Sequence, residues 1–196
     1  ALTVWDEWFP LREAPIRYRS VRWGRHAELF ILDTRLYRSD NADVDDESKT
    51  MLGSVQKAWL LHGLRESDAT FKLVVTSVPL DFGTNDDHWA QFTTERDEIL
   101  RVITSDPVDN VVFLTADQHW FSVHHHAGGL REFQVGPLAG TLRTPPPPVP
   151  EVVAVAEVFN YGELLITNGN PPRLVFNCRD PEGVVVYTET LNATGS

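Results

Sequence analysis

The residues with the clearest capacity for chemistry are Asp117, Gln118 and His119, which follow directly on the apolar run Val111-Val112-Phe113-Leu114. A carboxylate and an imidazole two residues apart on a strand-end loop can approach one divalent or trivalent ion. Taken in isolation, such a pair reads as two solvated loop residues. Its setting favours the ligand reading, because two earlier apolar runs also end in polar groups, Asp33 and Arg35 after one and Thr76 and Ser77 after the other. Arg35 could hold a phosphate oxygen bidentately if it faces those strand ends, or pair locally with Asp33, as Arg38 could with Asp40. His88 follows Asp86 and Asp87 ahead of a helical pattern. There one carboxylate serves as a helix cap and the imidazole is a candidate for acid-base chemistry. His124 and His126 would face one side of a strand, so a metal pair is geometrically possible, although a surface strand cluster is the ordinary reading of a short His tract. Cys178 lies beside Phe176 in an apolar strand with no base spaced to activate it, and reads as buried structure.

These groups need a scaffold that brings strand ends together. The first 28 residues are aromatic and read as irregular. Leu29 to Leu32 has the pattern of a buried strand, and Ser39 to Thr50 that of an acidic loop. A helix is expected from Gly53 to about Ser67, with Val55, Trp59, Leu60 and Leu64 on one face. Phe71 to Val78 is the next strand, closed by Pro79. Asp86 or Asp87 would cap a second helix, which buries Trp89, Phe92, Ile99, Leu100 and Ile103 and stops at Asp106-Pro107. Val111 to Leu114 is a third buried strand. The order β-α-β-α-β predicts a parallel sheet with its chemistry at the C-terminal strand ends. Short strand candidates then follow at Trp120–His126, Arg131–Val135, Leu164–Thr167, Leu174–Cys178 and Val184–Tyr187, and predict an antiparallel last third. The four prolines from Pro145 read as a stiff loop inside one domain spanning 1–196.

Composition narrows the function classes. The chain has 196 residues and a formal net charge of −11, so affinity for nucleic-acid backbone is not expected. No run approaches the roughly 18 apolar residues of a membrane span. The start of the chain lacks a signal-peptide pattern and reads as mid-protein or trimmed sequence. No glycine-rich phosphate loop, G-x-S-x-G elbow or C-x-x-C pair occurs, which leaves hydrolysis by a metal as the open catalytic reading.

Several stretches carry a family resemblance: Leu32 to Arg38, Met51 to Leu60, Ser67 to Lys72, Asp87-His88-Trp89 with Phe92 and Glu95-Arg96, and Asp117-Gln118-His119. In order and spacing they resemble the PhoD-like alkaline phosphatase and phosphodiesterase family of metallophosphoesterases. Phe133 to Leu138 and Asn160-Tyr161-Gly162 are similar to that family's later region. The resemblance implies an α/β fold, the C-terminal half of a two-sheet metallophosphoesterase sandwich. It also implies hydrolysis of phosphate mono- or diesters at a metal centre, often of iron with calcium, commonly outside the cytoplasm. The family's Gly-Asp-x-His element maps to Ala116 to His119, with Ala116 replacing the usual glycine, so Asp117 and His119 inherit a metal-ligand role. Arg35 and His88 are the candidate catalytic residues. The family's earlier ligand elements have no counterpart in residues 1–50, so the resemblance implies a site completed by an N-terminal half or a second chain. An apolar patch bordered by Trp5, Trp8, Phe9 and Trp23 is expected where that half would pack. The alternative is a non-catalytic phosphate-binding or interaction module of the same fold.

Overall fold

The apolar runs at Leu29, Phe71 and Val111 form the centre of a mixed sheet, as β-branched and aromatic residues buried on both faces should. The structure is a computed structural model that describes Trp8, residues 16–105 and residues 108–194. Strand β1 (Arg19–Trp23) pairs antiparallel with β2 (Ala27–Ile31), and β2 runs parallel to β3 (Phe71–Val75) and β4 (Val111–Thr115). Helix α1 (Gly53–Glu66) connects β2 to β3, and α2 (Thr93–Ser105) connects β3 to β4. Beyond β4, β5 (Phe121–His125) is antiparallel to both β6 (Arg131–Gln134) and β7 (Val152–Ala156), while β6 lies parallel to β4. The sheet order is β1-β2-β3-β4-β6-β5-β7. A second, antiparallel sheet has the order β10-β9-β8, formed by β8 (Tyr161–Thr167), β9 (Arg173–Arg179) and β10 (Val185–Asn192).

Two apolar cores lie on the two faces of the large sheet. On one face, Phe30, Val74 and Phe113 meet Leu60 and Leu64 of α1 and Ile99 and Ile103 of α2. On the other, Leu73, Val112, Phe121 and Phe133 meet Leu174, Phe176 and Cys178 of β9. The Phe133 and Phe176 rings stack at 4.0 Å between centroids, joining the two sheets.

Several elements differ from the sequence reading. The first 28 residues are not irregular throughout: β1 is a strand whose residues are all exposed, so its strand character comes from pairing with β2 and leaves no alternation to read. Val55 is exposed and Gln56 takes the inward position. The reason is local: Gln56 Nε2 donates to the Asp33 and Leu52 carbonyls, and Gln56 Oε1 accepts from Asp33 N, which fixes the end of β2. Trp59 and Leu100 are only partly buried against the core, whereas Leu60, Trp89, Phe92 and Ile99 are core residues. Helix α2 is not capped by Asp86 or Asp87. Asp45, from the acidic loop, accepts from Thr93 N, Thr93 Oγ1 and Thr94 N, and although burial raises its pKa, its hydrogen bonds with Thr93 and Thr94 outweigh that and hold the carboxyl below the usual range. Asp106-Pro107, Trp5 and Phe9 lie outside the described residues.

Candidate functional site

Because β2, β3, β4 and β6 are parallel, their C-terminal ends open along one edge. Asp33, Thr34 and Arg35 follow β2, Thr76 and Ser77 follow β3, and Asp117 to His119 lie just past β4. The Thr34 and Ser77 hydroxyls meet at 2.6 Å and tie the first two strand ends together. Asp117 (φ 82°) and His119 (φ 66°) both occupy the left-handed region, unusual for residues with a side chain. They flank Gln118, which is fully buried, accepts from Thr84 N with Oε1 and donates from Nε2 to Asp117 Oδ2 at 3.3 Å. The anchored Gln118 and the two left-handed residues leave Asp117 and His119 lining one cleft of about 460 Å³ with Gly136, Pro137 and Tyr161. Buried Asn160 holds the far wall by accepting from Gly136 N and donating to the Gly136 carbonyl.

The His119 imidazole has a defined orientation. Its Nδ1 contacts the Thr141 carbonyl, which can only accept, so Nδ1 carries a proton and the lone pair of the neutral ring belongs to Nε2. A histidine fixed through one nitrogen to a backbone carbonyl, beside an exposed carboxylate, is a suitable donor set for a cation.

Arg35 and Arg38 do not form the local pairs that their neighbours suggest. Asp33 Oδ1 instead accepts from the backbone N–H groups of Arg35 and Leu36. Both guanidiniums converge on Asp87, Arg35 reaching Oδ2 at 2.6 Å and Arg38 reaching Oδ1. Burial raises the Asp87 pKa, but hydrogen bonds from Arg35 and Arg38 outweigh it and hold the carboxyl below its usual range. His88 is buried, and burial lowers its pKa. Its Nδ1 accepts from Ala90 N, capping a short 3-10 turn at Trp89–Gln91. A Cβ at Gly83 would come within 2.8 Å of His88 and 3.1 Å of Gln118, so glycine there lets the His88 side chain approach the loop that carries Asp117.

A second constellation involves the histidine tract, which is not a surface cluster: His124 is 1% exposed. Val123 and Phe133 face the small sheet, so by strand alternation His124 and Glu132 face the other way, toward the helices. Asp81, His124, His126 and Glu132 place ligand-capable atoms all within 4.8 Å of one another. Buried Glu132 accepts from Leu80 N and Thr115 Oγ1 on one oxygen and from His126 Nε2 on the other. Burial would lower the His126 pKa, but the hydrogen bond and charge of Glu132 raise it above the ordinary value. Sequence reasoning missed Asp81 and Glu132. The available signal was Glu132, a charge between Leu130 and Phe133 in a strand with no exposed face. Cys178 is fully buried and its thiol is pushed up to about 12, consistent with a structural role.

The model of the PhoD-like phosphatase family matches residues 1–150. Alkaline phosphatase D of Bacillus subtilis (strain 168) is 33% identical over 129 residues, which cover 55% of this chain and 22% of that protein. A solved structure of PhoD is similar with a TM-score of 0.78 at 19% identity, covering 97% of this chain and 45% of that one. GAP50, the anchor in the inner membrane complex of Plasmodium, is similar with a TM-score of 0.63 at 13% identity, covering 91% of this chain and 54% of that one. The two structural likenesses carry the fold, a parallel-containing sheet joined to an antiparallel one. The chain spans less than half the length of the PhoD structure and about a fifth of the Bacillus protein. No helix among the described residues is long and apolar enough to cross a membrane.

Proposed function

The chain belongs to the PhoD-like phosphatase family, and on that premise we propose that it contributes one side of a metal-dependent active site that hydrolyses phosphate mono- or diesters. The observation that supports this reading is the pairing in one cleft of exposed Asp117 with His119, whose Nδ1 donates to Thr141 and whose Nε2 has no hydrogen-bond partner among the described residues. Carboxylate oxygen and imidazole nitrogen suit iron or zinc, and the carboxylate also suits calcium. Iron with calcium is the pair that the family resemblance suggests, in a protein that acts outside the cytoplasm. A bound ion supplies positive charge to the phosphoryl oxygens and lowers the pKa of water.

The chain's own residues position and stabilise. Gln118 holds the Asp117 carboxylate, and Thr141 holds the His119 ring. Arg35, half-exposed and carried on Asp87, is placed at the strand-end edge to meet an anionic phosphoryl group. His88, neutral through burial, acts as a positioning residue by packing against the Gln118 loop. Asp117 and His119 are too few for a dinuclear centre, so the remaining ligands come from an N-terminal half of the same enzyme or a second chain.

The test is turnover of a chromogenic phosphodiester by the intact enzyme, read together with metal content. Asp117→Asn and His119→Ala should each reduce kcat by more than the roughly 10–100-fold typical of losing an outer partner of a metal ligand, and should reduce bound metal. Unchanged turnover in both variants would refute the assignment, and absence of both metal and turnover in the parent would favour the non-catalytic module.

A further inference from the structure

Glu132, His124, His126 and Asp81 share no residue with the lining of the strand-end cleft. His124 of β5 and Glu132 of β6 face the helices, His126 directly follows β5, and Asp81 reaches them from the loop after β3. His124 is 1% exposed, and neither ring nitrogen has a hydrogen-bond partner. Its Nδ1 lies 3.3 Å from Asp81 Oδ1, without hydrogen-bond geometry, and 3.9 Å from Glu132 Oε2. A buried imidazole with both nitrogens unpaired is a loss that packing against Phe82 does not restore.

The neighbouring histidine is organised differently. His126 Nε2 donates to Glu132 Oε2 at 2.8 Å, and a carboxylate can only accept, so the proton on that nitrogen is fixed. That leaves Nδ1, 3.8 Å from Asp81 Oδ2, as the coordinating atom. The His124 and His126 rings lie nearly parallel, 27° apart with centroids at 5.6 Å, because the backbone stays extended through His126 just past the end of β5. Glu132 is itself locked by Leu80 N and Thr115 Oγ1. A carboxylate that orients a histidine through its far nitrogen is the arrangement that supports metal-ligating imidazoles.

We propose that His124 Nδ1, His126 Nδ1 and the Asp81 carboxylate form a binding site for a divalent transition-metal ion of the zinc type, with Glu132 orienting His126. Two imidazoles and one carboxylate favour zinc or cobalt over calcium or magnesium, which take oxygen ligands. Bonds of about 2.0–2.2 Å place tetrahedral ligands roughly 3.3–3.6 Å apart. Asp81, whose side chain is 46% exposed, stands 3.3 Å from His124 Nδ1 and 3.8 Å from His126 Nδ1, has the freedom to close on both, and gives the ion a path from solvent. A fourth position remains for water. The site joins β5, β6 and the loop after β3, so metal binding there stabilises the sheet whatever happens at the strand ends.

The experiment uses intact, metal-stripped protein titrated with Co²⁺, reading the visible d-d absorption for coordination, with equilibrium dialysis for stoichiometry. Among the equivalents that the parent binds, one should be weakened at least about tenfold by Asp81→Asn and by His124→Gln, while Asp117→Asn retains it. Zn²⁺ should raise the melting temperature of the parent and of Asp117→Asn by more than that of Asp81→Asn. Asp81 is at the surface, so its variant reports even where His124→Gln fails to fold. Equal Co²⁺ binding by the parent and Asp81→Asn, no binding by the parent, or loss of this equivalent on Asp117→Asn would each overturn the proposal. Phosphoesterase turnover is not a readout, so this site and the strand-end reading stand or fall separately.

Discussion

Asp87 shows how one carboxylate can organise the strand-end edge. It gathers two guanidiniums, Arg35 and Arg38, from the loop after β2 and so aims a cation at the strand ends from 52 residues away in sequence. Its folded-state pKa is depressed, so its contribution to stability is fully present above the unfolded carboxylate pKa and is lost as pH falls through the folded value. Asp87→Asn should therefore lower stability at neutral pH, and the gap from the parent should close on acidification below about pH 4. Asp87 is 36% exposed, so the gap at neutral pH should stay within about 1 kcal/mol because water screens the pair. Urea unfolding followed by tryptophan fluorescence at several pH values measures it, and a gap that widened in acid would contradict the sign.

At the scale of elements, α1 packs tightly on the sheet at Gly63. A Cβ there would stand 2.7 Å from Phe30 Cε1, and Phe30 is 2% exposed, with little room for its ring to yield. Gly→Ala inside a helix ordinarily gains about 1 kcal/mol from propensity. Here overpacking of roughly 1–3 kcal/mol should reverse the sign. Gly63→Ala is thus expected to lower the melting temperature by about 2–4 °C for each kcal/mol lost. Pairing it with Phe30→Leu, which makes room, should recover part of that loss, and a raised melting temperature in the single variant would show that the helix can shift.

For the whole molecule, the proposed metal centre needs ligands beyond those of the strand-end cleft. The chain covers 45% of the PhoD structure that it resembles. Trp23 and Trp8 are exposed, the first on edge strand β1, where further protein could pack. A dinuclear centre needs about seven protein ligand atoms, at four to six ligands per ion less water and bridging groups. The strand-end cleft offers Asp117 and His119. The 196-residue chain alone should therefore show no phosphodiester turnover with added iron, calcium, manganese or zinc, and should gain it when the remaining part of the enzyme is supplied. Robust turnover by the isolated monomer would remove the shared-site proposal.

The parallel β-α-β-α-β order, both helices and the strand-end position of Asp117 and His119 were legible in the sequence, because burial on both faces of a sheet leaves unbroken apolar runs and strand ends leave abrupt polar ones. Exposed β1 carries no such run, and only its hydrogen-bonded neighbour makes it a strand, whereas β7 does carry one, Val152 to Ala156, which the sequence reading passed over among the prolines and valines before it. The sequence also determined, through its family resemblance, which short stretch holds the proposed ligands. Long-range pairing was beyond it. That Asp45 caps α2, that Asp87 collects Arg35 and Arg38, and that Asp81 meets His124 and His126 are contacts across 40 residues or more. No local period records them, because charges and imidazoles find partners by where the sheet and its loops bring them in space. Tertiary structure alone turned a histidine tract that reads as surface into a buried imidazole beside two carboxylates.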